Sequence, residues 1–288
     1  MITKALAIAH NTLVELVRQK IFYILLIFAL AAIGSSIFMA KLSFQEEFQM
    51  LKDVCLGAMA IFTSLLAILA TANFLPKDIE ERTIYTLLAK PVPRFVYLLG
   101  KLAGIIGLLF LFTLLMTLVF LAVLWLRETT VLAEIRGQFQ GHLESEEAVA
   151  ALRAVTDATF NWNLVPGISI IFVKAALLAA MTLLISTFAT SALFTVMVGA
   201  AMYFIGHLQA TAREVWISDV AQAAWWQSLL TGVVALLFPD LQAFNLSDDV
   251  IAGVAIPLGL FFKTMALGGV YVVVYFLLSA YAFSVREL

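Results

Sequence analysis

The sequence predicts an all-α polytopic membrane protein with six transmembrane helices. Of its 288 residues, 63% are hydrophobic and only 12% are charged, and the mean hydropathy is +1.04. A soluble domain is about half apolar and about one quarter charged. Because a chain that crosses lipid must satisfy its own backbone hydrogen bonds, the spans must be helices. We expect a single membrane domain over residues 1–288.

Six stretches are long enough and poor enough in charge to cross a bilayer. They are residues 21–40, 55–75, 99–126, 167–188, 190–208 and 264–284. The first stretch has the length of a span rather than of a signal core, so we expect no cleavable signal peptide. Apart from the flanking Lys101, Lys174 is the single charge inside these spans. It either snorkels to the outer interface or lines a cavity or subunit interface that receives an anionic group.

The distribution of basic residues favours a topology with both termini in the cytoplasm. In that topology the inner segments carry nine basic and five acidic side chains, and the outer segments carry seven basic and fourteen acidic ones. Cytoplasmic segments are usually the ones enriched in Lys and Arg. We therefore expect a multi-pass protein of the cell inner (plasma) membrane, in contact with membrane lipid.

Residues 3–20, before the first span, have an amphipathic pattern. Four apolar side chains fall near one helical face: Leu6, Leu13, Leu16 and Val17. Arg18 and Lys20 lie mainly elsewhere. The pattern predicts an interfacial helix along the inner membrane surface, and the alternative is a plain helical extension of the first span.

Two long segments are expected on the outer side. In residues 127–165, Ser145 and the acidic residues after it precede an apolar-periodic run, which is typical of a helix start, so we expect a short external helix. Residues 209–263 contain a tryptophan pair, an apolar run too short to span, and Pro239. They predict a re-entrant or outer-leaflet hairpin before the last span, with a buried loop helix as the alternative.

The chain lacks the motifs of several enzyme and carrier classes. Its Gly100-Lys101 pair is followed by Leu102 and has no glycine five residues earlier, so it is not a nucleotide phosphate loop. The three histidines are far apart in sequence, which argues against a shared metal site. The predicted spans contain no Asp or Glu, which disfavours a proton-coupled carrier. We expect a non-catalytic protein that binds no cofactor directly.

The stretch PKDIEERTIYTLLAKPVPRFVYLLGK, residues 76–101, is dense in charge and proline. Asp78 is placed to cap a helix that has Glu80 and Glu81 in its first turn, where acids suit the positive helix end. Pro91 and Pro93 would end that helix. The pattern predicts a short amphipathic helix at the inner face, suited to receiving force from a soluble partner.

The same stretch resembles the signature of ABC-2 type transporter permeases. In that family an acidic-basic pair and a Thr follow the second span, and Leu-Leu, Pro, Arg and Gly-Lys precede the third. The matching residues here are Glu80, Glu81, Arg82, Thr83, Leu87, Leu88, Pro91, Arg94, Gly100 and Lys101. FPDLQAFNL (238–246) and the tail FSVREL also resemble elements of one branch, the permeases grouped with multicopper enzyme maturation.

The resemblance implies the membrane-spanning permease subunit of an ATP-driven ABC exporter. It implies a second permease, as a homodimer, and two copies of a separate ABC ATP-binding subunit that carry the ATP and Mg. The coupling helix that begins at Asp78, and the interfacial helix with Arg18 and Lys20, would contact that subunit. We expect no nucleic-acid partner. The alternative functions are a channel or secondary carrier, and a membrane assembly factor for another complex.

Overall fold

The computed structural model describes residues 2–40, 47–80, 93–139, 145–218 and 238–286. Within these ranges the chain is helical and has no strand, which confirms the all-α prediction. The α-helices, in chain order, are α1 (Ile2–Val17), α2 (Lys20–Ala40), α3 (Glu47–Ala72), α4 (Phe74–Glu80), α5 (Arg94–Gln138), α6 (Glu146–Thr159), α7 (Leu164–Phe188), α8 (Ala192–Ser218), α9 (Ser247–Ile251) and α10 (Leu258–Val285). A 3-10 turn covers Gln242–Phe244.

Six of these helices are long and apolar enough to cross a membrane: α2, α3, α5, α7, α8 and α10. They coincide with the six predicted spans, so the coarse six-span architecture is confirmed. Several helices extend beyond the predicted limits. The largest difference is in α5, which has 45 residues where a span over 99–126 was expected.

Helix α5 is about 68 Å long at 1.5 Å per residue, whereas the hydrocarbon core of a bilayer is about 30 Å thick. The helix continues through residues 127–138, the first part of the outer segment expected over 127–165, because that stretch contains no glycine or proline before Gly137. Arg127 forms an ion pair with Glu47 at the start of α3. Helix α6 begins after Ser145, whose side chain accepts a hydrogen bond from the Ala148 amide, as the start signal predicted.

The spanning helices alternate in direction. At one end of the bundle the Lys101 ammonium of α5 lies over the Phe74 ring, just after α3. At the other end Arg127 of α5 meets Glu47 of α3, so α3 and α5 are antiparallel. We call these two ends the Lys101 end and the Arg127 end. Helix α1 and Arg286 both lie at the Lys101 end, as expected for an even number of crossings.

Helix α1 packs along the first turns of α5. A Cβ added at Gly100 would lie 2.7 Å from the Ile8 Cβ, and one added at Gly104 would lie 2.6 Å from the Thr12 Cβ. Two glycines four residues apart therefore let the backbones of the two helices approach closely. Helix α1 ends at Val17 and α2 begins at Lys20, after a two-residue turn.

The core is centred on α7, most of whose side chains are buried. Phe112 and Phe120 of α5 and Met59 of α3 are fully buried beside it. In contrast, α2, α8 and α10 direct many large apolar side chains outward, among them Phe28, Leu193, Met197, Phe204, Val270 and Leu277. A helix that is apolar on all sides suits a position between a protein core and lipid.

The described segment just before α10, from residue 238, packs against α8 and α10. The Leu241 amide donates a 3.0 Å hydrogen bond to the Gly206 carbonyl of α8. Leu241 and Phe244 are buried, and Phe244 lies against Gly268 of α10. The re-entrant hairpin was predicted over residues 209–263; α8 continues to Ser218, residues 219–237 lie outside the described residues, and the hairpin stays a prediction.

Candidate functional site

The described ends of the 76–101 stretch meet in a buried polar cluster at the Lys101 end. The Lys101 Nζ lies 2.8 Å from the Asp78 Oδ2, and the Tyr97 hydroxyl donates a hydrogen bond to the same carboxylate oxygen. The Lys101 Nζ also lies 3.8 Å from the centroid of the Phe74 ring. We call Phe74, Asp78, Tyr97 and Lys101 the Asp78 cluster. Each polar group in it has a partner within the cluster, so the arrangement holds the chain in place rather than offering a reactive group.

The structure assigns Asp78 a role different from the predicted one. We expected Asp78 to cap the start of a helix, but it lies inside α4, which runs from Phe74 to Glu80. The capping prediction is wrong because the Asp78 carboxylate is bound to α5 instead, through Tyr97 and Lys101. Glu80 is the last residue of α4. The remaining predicted residues lie outside the described ranges: Glu81, Arg82, Thr83, Leu87, Leu88 and Pro91.

Helix α4 is also tied to α1. The Lys77 Nζ lies 2.7 Å from the Glu15 Oε1, and both side chains are more than a third exposed. Such a pair contributes about 1 kcal/mol at most, so it orients the two helices more than it stabilises them. With Gly100 in the α1 contact and Lys101 in the Asp78 cluster, α1, α4 and the start of α5 form one unit.

A small cleft opens between these helices, with room for about one water molecule. Seven residues line it: Glu15, Gln19, Ala70, Asn73, Phe74, Lys77 and Asp78. A cleft of this size does not admit a nucleotide. In the part of the chain that the structure describes, no three side chains of His, Cys, Asp or Glu come together in a way that could hold a metal ion.

Arg94, at the start of α5, binds the end of α10. Its Nη1 lies 3.0 to 3.2 Å from the carbonyl oxygens of Phe283, Ser284 and Arg286. The last carbonyls of a helix have no partner within the helix and carry its negative dipole end, so a guanidinium there is stabilising. The Arg94 guanidinium also lies 5.9 Å from the Phe283 ring centroid.

Arg286 makes the equivalent contact with the next helix. Its Nη1 donates a 2.6 Å hydrogen bond to the Thr187 carbonyl, and its Nη2 lies 3.5 Å from the Ala189 carbonyl. These carbonyls belong to the end of α7 and the turn into α8. We call Arg94 and Arg286 the arginine pair. Together they connect the start of α5 to the ends of α10 and α7.

The two predicted residues of the interfacial helix lie where the chain turns. Arg18 is in the turn between α1 and α2, and Lys20 is the first residue of α2. Both are exposed. They are not part of the Asp78 cluster, although they lie at the same end of the bundle.

Lys174 lies away from this site. It is 13 residues before Thr187 on α7, or about 20 Å along the helix at 1.5 Å per residue. Its side chain is buried, and its Nζ lies 2.7 Å from the His207 Nε2 on α8. The His207 Nδ1 lies 2.8 Å from the Tyr203 carbonyl, which can only accept, so Nδ1 carries the proton and Nε2 accepts from Lys174. Within this chain Lys174 therefore does not snorkel.

Sequence reasoning did not single out several residues of these arrangements, among them Tyr97, Arg286 and Lys52. Tyr97 and the Arg286 side chain were not singled out, because nothing local marks an aromatic or a terminal arginine as a partner of a distant helix. Lys52 was placed before the second span, yet it is buried in α3 and donates to the Ala158 carbonyl at the end of α6. Continuing the helical pattern back to Glu47 would have identified Lys52 as an intrahelical charge.

Comparison with families of known proteins and with curated proteins found no relative of this chain. No model of a known protein family matches the chain, and no curated protein matches it. The functional argument therefore depends on the residues and on the geometry of the Lys101 end.

Proposed function

We propose that this chain is the membrane-spanning permease subunit of an ATP-driven exporter, and that a separate ATPase subunit hydrolyses ATP for it. The observation that carries the proposal is the Asp78 cluster. It joins the last turns of α4 to the start of α5 through a buried ion pair of 2.8 Å. The pair thus holds together the residues on either side of segment 81–92, which resembles the ABC-2 coupling signature.

The anchoring supports a coupling role on physical grounds. A segment that must pass movement to transmembrane helices has to be attached rigidly at both ends. The buried pair and the Tyr97 hydrogen bond attach α4 directly to α5, and the glycine contact of α1 with α5 adds a third helix. A connecting loop with no mechanical role would not need a buried ion pair, because such pairs contribute little net stability.

In the proposed orientation the Lys101 end faces the cytoplasm of a cell inner membrane. The excess of basic residues in the segments at this end supports that orientation. Helix α1 would lie beside the start of α5 at the inner side of the membrane, where its exposed Ile2 and Leu6 could contact lipid. Two such permeases, as a homodimer, would bind two ATPase subunits.

The proposal is tested by recovering the tagged chain from its native membranes in mild detergent. We expect a soluble ATP-binding subunit in roughly equal amount, with Mg-dependent ATPase activity in the eluate. Reversing the charges at Glu80 and Arg82 together should leave membrane insertion unchanged and abolish ATP-driven transport. Recovery of the chain alone, or with an unrelated enzyme and no ATPase activity, contradicts the proposal.

A further inference from the structure

Three lysine side chains are buried in the part of the chain that the structure describes, and their charges are compensated differently. Lys101 forms an ion pair with a carboxylate. Lys52 donates to a carbonyl in the last turn of α6, where the helix dipole is negative. The Lys174 ammonium has a neutral imidazole, that of His207, as its acceptor. Lys174 is therefore the one of the three with no negative partner among the described residues.

Lys174 lies deep in the membrane-spanning part of α7. It comes 10 residues after Leu164 and 14 before Phe188, the two ends of the helix, or about 15 Å and about 21 Å from them at 1.5 Å per residue. Its side chain is 4% exposed, so water does not hydrate the charge. Ionisable groups at such a depth are costly and mark functional sites or substrate pathways, where a partner of opposite charge is expected.

The His207 ring fills the place where such a partner would bind. Its Nε2 lies 2.7 Å from the Lys174 Nζ, and an ammonium binds a carboxylate or phosphate oxygen at about 2.7–2.9 Å. An ammonium has three N–H donors, and His207 is the single described acceptor of this one. Asp240 acts electrostatically on His207, but its Oδ1 accepts from the Gln242 amide and it forms no described ion pair with Lys174.

The site borders the lipid-facing surface of α8. His207 is partly exposed, and Phe204 and Leu208, near it on the same helix, are 63% and 62% exposed. A molecule dissolved in the bilayer can therefore reach the His207 ring from the side, with its apolar part on Phe204 and Leu208. For a small hydrated anion the same route is costly, because no apolar part offsets the loss of water.

We propose that Lys174 and His207 form a closed recognition site for the anionic head group of a membrane-dissolved amphiphile, a phosphate or a carboxylate. The head group displaces the His207 ring and accepts hydrogen bonds from the Lys174 ammonium, which keeps its protons. This inference rests on the proposed function where it makes that amphiphile the transported molecule. It goes beyond that function by naming the chemical class of the substrate.

The test measures thermal unfolding of the full chain, purified in a neutral detergent, with three added probes. These are phosphatidylglycerol, which is an anionic lipid, phosphatidylcholine, which is zwitterionic, and inorganic phosphate. A ligand that binds only the folded chain raises the unfolding midpoint. We expect phosphatidylglycerol to raise the midpoint of the parent by at least about 3 °C, and the other two probes to leave it unchanged.

Four variants locate the effect. Lys174→Met should lose most of the rise, whereas Lys263→Met, the control at an exposed lysine of α10, should keep it. Lys174→Arg should keep part of the rise, since the charge remains. In His207→Leu the rise should be larger than in the parent, because the lipid phosphate supplies the acceptor that the ammonium has lost. A purely structural contact between Lys174 and His207 predicts no such gain from the lipid.

An equal rise in Lys174→Met and Lys263→Met overturns the inference. A rise in His207→Leu that is no larger than in the parent also overturns it, and this comparison decides the question even if Lys174→Met does not fold. An equal rise with phosphatidylcholine or inorganic phosphate overturns it as well, because the site should select an anionic amphiphile.

The proposed function is judged by a separate result, the recovery of an ATPase subunit. An ATPase subunit recovered without the lipid effect overturns this inference and leaves the proposed function intact. The lipid effect without any ATPase subunit overturns the proposed function and leaves the binding site.

Discussion

The Lys101 ammonium of α5 lies 2.8 Å from the Asp78 carboxylate of α4, and each side chain is less than a tenth exposed. The two residues flank the segment that carries most of the coupling signature. Their contact holds together the two residues on either side of that segment. A buried pair of this kind is costly to break, because removing one partner leaves the other charge buried and uncompensated.

We therefore expect Lys101→Met to destabilise the protein by about 3 kcal/mol. Without Lys101, the Asp78 carboxylate keeps the Tyr97 hydroxyl as its one partner among the described residues. Thermal unfolding in detergent measures the effect, and Lys263→Met, an exposed position on α10, is the matched control. The double variant Asp78→Asn/Lys101→Met should lose less than the sum of the two single variants. Equal midpoints for Lys101→Met and Lys263→Met would show that the pair does not hold the two helices.

Two glycines of α5, Gly104 and Gly107, test how closely α1 packs against this helix. A Cβ at Gly104 meets the Thr12 side chain and the Ala9 carbonyl at less than 3 Å, whereas a Cβ at Gly107 has 3.8 Å to Leu13. Gly104→Ala should therefore destabilise the protein by about 1–3 kcal/mol through overpacking. Gly107→Ala should be neutral or stabilising by up to about 1 kcal/mol, because alanine favours a helix. Similar melting temperatures for the two variants would argue that α1 is not packed as described.

The Lys174–His207 contact predicts an asymmetric response. Lys174→Met removes a buried charge and leaves one imidazole nitrogen unpaired, which costs about 1–3 kcal/mol. His207→Leu leaves a buried ammonium without its acceptor, which costs about 3–5 kcal/mol. The double variant should be more stable than His207→Leu alone. Thermal unfolding of the three variants measures their stabilities. A larger loss of stability for Lys174→Met than for His207→Leu would contradict the described pairing.

The Lys52 side chain should stabilise the last turn of α6 against α3. Its Nζ donates a 2.7 Å hydrogen bond to the Ala158 carbonyl in the last turn of α6. In Lys52→Met that carbonyl loses the bond, so the last turn of α6 should exchange its amide hydrogens faster while α5 is unchanged. Hydrogen exchange with mass spectrometry measures both regions. Asp53→Asn, the exposed neighbour, is the control, and equal exchange in the two variants would show that Lys52 does not secure α6.

The proposed orientation is tested by labelling in intact cells. On a Cys55→Ser background, Trp162→Cys lies near the Arg127 end, where the Trp162 side chain is 90% exposed. Thr3→Cys lies on an exposed position of α1 at the Lys101 end. A membrane-impermeant maleimide should react with the first and reach the second only after the cells are opened. The reverse order of reactivity would place the Lys101 end outside the cytoplasm.

The sequence by itself determined the class of the protein and its six spans, because hydropathy and length measure directly what a bilayer requires. It also located the start of α6, since a capping serine acts on an amide three residues away. It did not determine the partners of the charged residues. Asp78, predicted to be a helix cap, binds Tyr97 and Lys101. Lys174, expected either to snorkel or to line a cavity or subunit interface, binds His207.

The tertiary structure decided these roles because the partners come from other helices. Arg94 binds carbonyls at Phe283 and beyond, almost 190 residues later, and no local pattern encodes that distance. Hydrophobic periodicity shows which residues avoid water but not which helix covers them. Only the packing of α1, α4, α5, α7 and α10 at the Lys101 end, and of α7 against α8 farther along the bundle, brings these side chains within bonding distance of one another.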